Sequence, residues 1–224
     1  SNFIKLHPLN VGENGVARTL GLLGIIAEEQ QDVIAAEELY KKALAIFEKL
    51  SDEYSTTKSY GQLGVLAQEQ QDFTAAEQWY KKSLAITEKL SDENTMAITY
   101  HQLGIMALEQ RDLNAAEQWY KKALTIFEKQ GNEHEAASTY NQLGQLARLQ
   151  KNYASAAEWC LKALQIFMRY NNQHNFGLVA RNFIRALQSV DSETQIILRQ
   201  KWQQAGLDKI ITLDQLEQQF NDHT

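Results

Sequence analysis

The same residues return every 40 positions. The segments GQLGVLAQEQQDFTAAEQWYKKSLAITEKLSDE and HQLGIMALEQRDLNAAEQWYKKALTIFEKQGNE begin at Gly61 and His101. The same step links Gly24, Gly64, Gly104 and Gly144, then Leu23, Leu63, Leu103 and Leu143, then Ala36, Ala76, Ala116 and Ala156. Self-similarity at this period marks a fold made by stacking one supersecondary unit on the next. Four units are expected, over 17–56, 57–96, 97–136 and 137–176.

Each unit reads as two antiparallel helices. The chain has a single proline, Pro8, so everything after it can be helical without interruption. Period-two alternation of β-branched residues and Asn-Gly hairpin turns are both missing. The first helix carries Tyr60, Leu63, Gly64 and Ala67 at i, i+3, i+4 and i+7, an apolar stripe on one face. The glycine lets the second helix come close. That second helix opens after Asp32, Asp72, Asp112 or Asn152, residues whose side-chain oxygen accepts from a free backbone N–H. Its stripe is Ala76, Tyr80, Ser83 and Leu84, repeated as Ala116, Tyr120, Ala123 and Leu124. Polar turns such as Ser91-Asp92-Glu93 and Gly131-Asn132-Glu133 end each unit.

This pattern resembles the tetratricopeptide repeat, which shows an aromatic residue, two residues, Leu-Gly, and later Ala, three residues and an aromatic. The matches are Tyr100-x-x-Leu103-Gly104 and Ala116-x-x-x-Tyr120-x-x-Ala123. The chain departs from the family at Ala27, Ala67, Ala107 and Ala147, where an aromatic is usual, and it lacks the closing proline. Its period of 40 is similar to that of kinesin light chains and of the sensor arms of bacterial signal-transduction NTPases. The resemblance covers about 160 of the 224 residues. It implies an all-α fold, a right-handed α-α superhelical solenoid with C-terminal capping helices.

The two ends fall outside the four copies. Residues 1–16 hold Pro8, Gly12 and Gly15 and read as a leader or linker. The chain starts Ser-Asn rather than Met, which suggests a piece of a longer protein. Residues 177–224 read as a degenerate fifth first-helix followed by capping helices. Ser192-Glu193-Thr194-Gln195 has the spacing of a capping box, Gly206 suits a helix stop, and Thr212-x-x-Gln215 starts a last short helix.

Composition narrows the function. A net charge of −6 argues against a nucleic-acid or anionic-membrane surface. No apolar run approaches the roughly 20 residues of a membrane span. The single cysteine, Cys160, excludes a disulfide scaffold, and a reducing, cytoplasmic setting is expected. Gly12-Glu13-Asn14-Gly15 lacks the Gly-Lys-Ser/Thr of a phosphate loop. His134-Glu135-Ala136-Ala137-Ser138 has a serine where a zinc-protease helix needs its second histidine. His134 and His174 are expected to be solvated turn residues. Cys160 takes the core position of Tyr80 and Tyr120 and is expected to be inert. Pairs such as Glu38–Lys42, Glu77–Lys81 and Glu117–Lys121 mark a solvated face. Trp79, Trp119 and Trp159 are expected to pack between neighbouring repeats; the other reading is an aromatic ladder offered to a partner. No catalytic residue, metal or cofactor is expected.

In tetratricopeptide proteins the first helices line the concave side, and by resemblance the groove here runs through three rows. They are Gly21, Gly61, His101, Asn141 and Arg181; Leu22, Gln62, Gln102, Gln142 and Asn182; and Ile25, Val65, Ile105, Gln145 and Arg185, flanked by Glu28, Gln68, Leu108 and Arg148. Gln62, Gln102 and Gln142 form an amide column able to grip a peptide backbone through both donors and an acceptor. Glu28, Glu29 and Glu69 lie toward the first repeats, whereas Arg148, Arg181 and Arg185 lie toward the last, where an acidic or C-terminal carboxylate would be preferred. Chaperone-binding relatives hold such a carboxylate with Lys and Asn in the first two repeats; here those places hold Gly21, Ile25 and Gln62, so that role is not expected. The expected function is a non-enzymatic module that binds a peptide or protein segment in the groove. The alternatives are the sensor arm of a larger signalling ATPase and an architectural or oligomerisation scaffold.

Overall fold

A computed structural model of the chain describes residues 8–221, with side chains from 12 to 220. They form α1 (Pro8–Glu29), α2 (Val33–Lys49), α3 (Glu53–Glu69), α4 (Phe73–Leu90), α5 (Glu93–Glu109), α6 (Leu113–Gln130), α7 (Glu133–Leu149), α8 (Tyr153–Arg169), α9 (Gln173–Leu187), α10 (Ser192–Gln204), a 3-10 turn (Leu207–Lys209) and α11 (Leu213–Asn221). No strand occurs among the described residues. The chain divides into two compact units, Ser1–Leu103 and Gly104–Thr224.

The helix ends are written in the sequence. Asp32, Asp72, Asp112 and Asn152 cap α2, α4, α6 and α8, each accepting from the N–H three residues on at 2.9–3.2 Å. Such a cap contributes about 1 kcal/mol. The residue before each cap is left-handed, as at Gln31, Gln71, Arg111 and Lys151. The cap N–H then bonds back across the turn, Asp32 to Ala27 O and Asp72 to Ala67 O, which stops one helix and starts the next within two residues.

Boundaries of three kinds differ from expectation. Helix α1 begins at Pro8, where proline is compatible with a first turn, so residues 8–16 are helical rather than a leader. Residues 1–7 lie outside the described residues. The first helices of the pairs open at Glu53, Glu93 and Glu133, so the boundaries drawn at 56/57, 96/97 and 136/137 fall inside them. The polar turns and their caps, not the apolar stripe, decide that point. Finally, Asp191 rather than Ser192 caps α10, accepting from Thr194 N at 2.9 Å and Thr194 Oγ1 at 2.8 Å. The Thr212–Gln215 box forms reciprocally: Thr212 N donates to Gln215 Oε1 and Gln215 N to Thr212 Oγ1.

In the first unit α1 packs on α2, α2 on α3 and α3 on α4. Ala36, Tyr40, Leu44, Leu63 and Leu66 form a common core. The rings of Tyr40 and Tyr80 lie directly on Gly24 and Gly64; a Cβ at Gly64 would stand 2.4 Å from Tyr80 Cε1. In the second unit α6 packs on α7, α7 on α8 and α8 on α9, with α10 against α8 and α11 against α9. Trp202 of α10 is fully buried and meets the Phe183 ring at 5.1 Å. Arg199 ties α10 to α11, donating to Glu217 at 2.6 and 2.8 Å and to Asp214 at 3.2 Å.

Candidate functional site

Helical periodicity puts the three expected rows on one side of the first helices, and side-chain burial decides what each offers. In the first unit Leu22 and Ile25 of α1 are exposed, while Gly61, Gln62 and Val65 of α3 and His101 and Gln102 of α5 are half-buried. Gly21, Leu22, Ile25 and Gln62 line one open cleft of about 370 Å³ between α1 and α3. The same cleft contains Asn14, Arg18, Asp52, Tyr54 and Lys58, none of them singled out in the sequence. A signal was present: Arg18 and Lys58 stand one repeat apart at the same register position.

Asp52 caps α3 and forms part of the cleft wall. It accepts from Ser55 N at 3.0 Å, Ser55 Oγ at 2.8 Å and Asn14 Nδ2 at 3.2 Å. Burial would raise its pKa, but these hydrogen bonds and the nearby Arg18 charge outweigh it and hold the carboxyl below the usual range. Glu28, expected as an open acidic group, accepts the Tyr40 hydroxyl at 2.6 Å. Gln68 does the same for Tyr80 at 3.1 Å.

Burial lowers the pKa of His101 to about 4, so its ring is neutral at physiological pH and can act as a hydrogen-bonding group rather than a cation. The sign follows from linkage. The unfolded ring, near 6.5, takes up a proton before the folded one. Stability is therefore expected to decline as pH falls from about 6.5 toward about 4. In an NMR titration the His101 ring should remain neutral at pH 5, and His101→Gln should flatten part of the acid slope. A His101 resonance that titrates near 6.5 would contradict this.

In the second unit Asn141 is buried, Gln142, Gln145, Arg148 and Asn182 are half-buried, and Arg181 and Arg185 are exposed. Asn182 Nδ2 donates to Asn141 Oδ1 at 3.1 Å, so these two amides partly satisfy each other. Arg181 Nε donates to Gly177 O of its own helix at 3.3 Å. The Arg185 guanidinium lies 5.6 Å from the centre of the Phe220 ring. Arg148 Nε is enclosed with no hydrogen-bond partner among the described residues.

Trp79 packs against the core cluster that holds Ala36, Tyr40 and Leu44 of the preceding helix pair, and two of the tryptophans also stack within their own pair. Trp79 stacks on Tyr60 at 5.7 Å and 26°, and Trp159 on Tyr140 at 5.7 Å and 20°. Lys82 and Lys162 sit over these rings at 4.3 and 4.6 Å from the indoles, a favourable cation–π arrangement. The Tyr60 hydroxyl reaches back to Glu48 at 2.6 Å. Cys160 is buried, and burial pushes its thiol up to about 12. His134 and His174 are exposed. No group of three His, Cys, Asp or Glu residues could hold a metal ion among the described residues. No helix there is long and apolar enough to cross a membrane. The Glu38–Lys42, Glu77–Lys81 and Glu117–Lys121 pairs form at 3.3, 2.9 and 2.7 Å on open surface, each contributing a few tenths of a kcal/mol.

The family model of the tetratricopeptide repeat matches residues 15–89, 55–129 and 95–169. No curated protein matches the chain. Among solved structures, BtubC (BKLC) from P. vanneervenii is similar with a TM-score of 0.71 at 21% identity, over 89% of this chain and 83% of that one. A signal-transduction ATPase with a tetratricopeptide repeat sensor, from Pyrococcus horikoshii, is similar at 0.73 and 19% identity, over 86% of this chain and 30% of that one. A putative kinesin light chain from Podosopora anserina is similar at 0.66 and 15% identity, over 89% and 99%. At these identities the likeness is one of fold.

Proposed function

The chain belongs to the tetratricopeptide repeat family, and we propose that it is a non-enzymatic module whose first-helix faces bind a peptide or protein segment. Repeats of this kind are in general protein-binding scaffolds, and their stacked units present extended surfaces. The observation that carries the reading is the run of neutral polar side chains on those faces, half-buried except for the buried Asn141. The first unit offers Gln62, His101 and Gln102; the second offers Asn141, Gln142, Gln145 and Asn182. A primary amide held by its surroundings loses little freedom on binding and presents both donors and an acceptor to an extended backbone. Arg148, Arg181 and Arg185 favour an acidic segment on the second unit. A carboxylate there competes with the Gly177 carbonyl for Arg181 and with the Phe220 ring for Arg185. Residues 177–224 serve as the cap of the stack, and a cytoplasmic location fits the single buried thiol.

The test uses peptides selected on the full chain from a phage-displayed random heptapeptide library. Replacing Gln62, Gln102 and Gln142 together by alanine removes three amide contacts of about 0.5–1.5 kcal/mol each. Binding should weaken by at least tenfold, since about 1.4 kcal/mol is one decade, with the thermal midpoint preserved. Undiminished binding by the triple variant would sink the assignment. A second reading, the sensor arm of a signalling ATPase, is favoured by the likeness to the Pyrococcus sensor.

A further inference from the structure

Helix α1 leaves open a face that the later first helices bury. Leu23 is 45% exposed, whereas Leu63, Leu103 and Leu143 at the same register position are buried. Ile26 is 47% exposed, whereas Leu66, Met106 and Leu146 are buried. Thr19 is exposed, and Ser59, Thr99 and Thr139 are buried. What covers these positions later in the chain is the second helix of the preceding pair. Leu63 and Leu66 share a core with Tyr40 and Leu44 of α2, and Thr99 hydrogen-bonds to Ser83 of α4 at 3.3 Å. No described helix precedes α1. With Val16, 54% exposed, Thr19, Leu23 and Ile26 make an uncharged stripe along one side of α1. The outer face of a terminal repeat is ordinarily polar, and this one is not.

We propose that this stripe is covered by the same stripe of a second copy of the chain, the two α1 helices packing antiparallel about a two-fold axis. A preceding second helix of the repeat fits less well. Tyr60 and Tyr140 donate to Glu48 and Glu128 of the second helices before them. Leu20 stands at their register position, so a helix of that kind would meet leucine with its glutamate. A second α1 meets Leu20 with its own apolar stripe. The charges beside the stripe are also self-complementary. Arg18 and Glu29 are about three helical turns apart and so border it on one edge. Both are exposed, and neither belongs to an ion pair among the described residues. Antiparallel pairing sets Arg18 of each copy beside Glu29 of the other, whereas parallel pairing would set like charges together. This register puts the two-fold axis beside Leu23, near the midpoint between Arg18 and Glu29. The contact is isologous, so it closes as a dimer instead of growing into a filament. It uses no residue of the proposed peptide-binding set, and the two readings stand or fall separately.

Sedimentation velocity of the full chain across micromolar concentrations should show a monomer–dimer equilibrium. Leu23→Glu/Ile26→Glu should raise the dissociation constant by about a hundredfold or more, because it sets acids into the apolar contact from both copies. Ile196→Glu/Ile197→Glu, on the exposed isoleucines of α10, should leave it unchanged. Arg18→Glu should weaken the dimer by about three- to tenfold, since symmetry removes two surface pairs at once. Arg18→Glu/Glu29→Arg should restore it, a rescue that a parallel pair would not show. The single native thiol, Cys160, is buried. A short bis-maleimide should therefore link two chains of Leu23→Cys and none of Ile197→Cys. This linkage decides the matter even if the Leu23→Glu/Ile26→Glu variant loses its native circular dichroism. A chain that stays monomeric throughout, its α1 face left to residues 1–7 or to a foreign helix, would overturn the proposal. So would a dimer that a folded Leu23→Glu/Ile26→Glu variant keeps at native strength, or one in which Leu23→Cys does not link.

Discussion

Trp202→Ala is expected to lower the stability of the second unit by about 3–5 kcal/mol, the usual loss for a buried tryptophan cut to a methyl group. The indole is fully buried and meets the Phe183 ring of α9 at a 38° tilt. Leu198 of the same helix and Leu207 of the following 3-10 turn are buried as well. Without the ring, α10 loses its main apolar anchor. Trp202→Phe should cost far less. The indole N–H is buried with no acceptor among the described residues, a penalty of about 1–3 kcal/mol that the native residue carries and phenylalanine does not. Urea unfolding followed by circular dichroism, with limited proteolysis of residues 190–221, separates the two variants. An alanine variant that unfolds at the native midpoint would show that α10 contributes no stability through this contact.

Gly64→Ala is expected to destabilise the first unit by about 2–3 kcal/mol, because the added methyl group overpacks a filled site. Its Cβ would stand 2.4 Å from Tyr80 Cε1 and 2.7 Å from Cδ1. The Tyr80 ring is 1% exposed and its hydroxyl is bonded to Gln68, so it cannot swing aside freely. This loss outweighs the gain of about 1 kcal/mol from replacing a helical glycine with alanine. One turn earlier the same change should do the opposite. Nothing lies within 4 Å of a Cβ at Gly61, so Gly61→Ala should stabilise by about 0.5–1 kcal/mol. Gly144→Ala should fall between them. The ring there is replaced by Cys160, whose Sγ would be 3.1 Å away, with Ala156 O at 3.3 Å. Thermal midpoints should rank Gly61→Ala highest, the native protein and Gly144→Ala close together, and Gly64→Ala lowest. If Gly64→Ala equals Gly61→Ala, the glycine–tyrosine contact does not set the spacing of α3 and α4.

Much of the fold was legible in the residues because its determinants are local. The 40-residue step, the 3.6-residue stripes and the Asp or Asn caps each act within a few residues of themselves. They determined the helix pairs and the starts of α2, α4, α6 and α8, and marked Gly64 and Gly104 as points of close approach, where the structure puts Tyr80 and Tyr120. Cys160 could be assigned to the core for the same reason, since it occupies a tyrosine position in the stripe.

What the sequence could not determine was which polar groups on the first helices remain free. Asn141 and Asn182 meet across 41 residues, and Glu28 is taken by Tyr40 of the next helix. Such pairings depend on the distance and rotation between helices, which register does not specify. Arg181 and Arg185 looked available and are partly engaged; Arg18 and Lys58 drew no notice and face an open cleft. The repeat thus determined the scaffold and the side on which its polar rows lie. Packing between helices decided much of which side chains keep hydrogen-bonding capacity for a ligand, because pairings such as Asn182–Asn141 and Tyr40–Glu28 form only when separate helices meet.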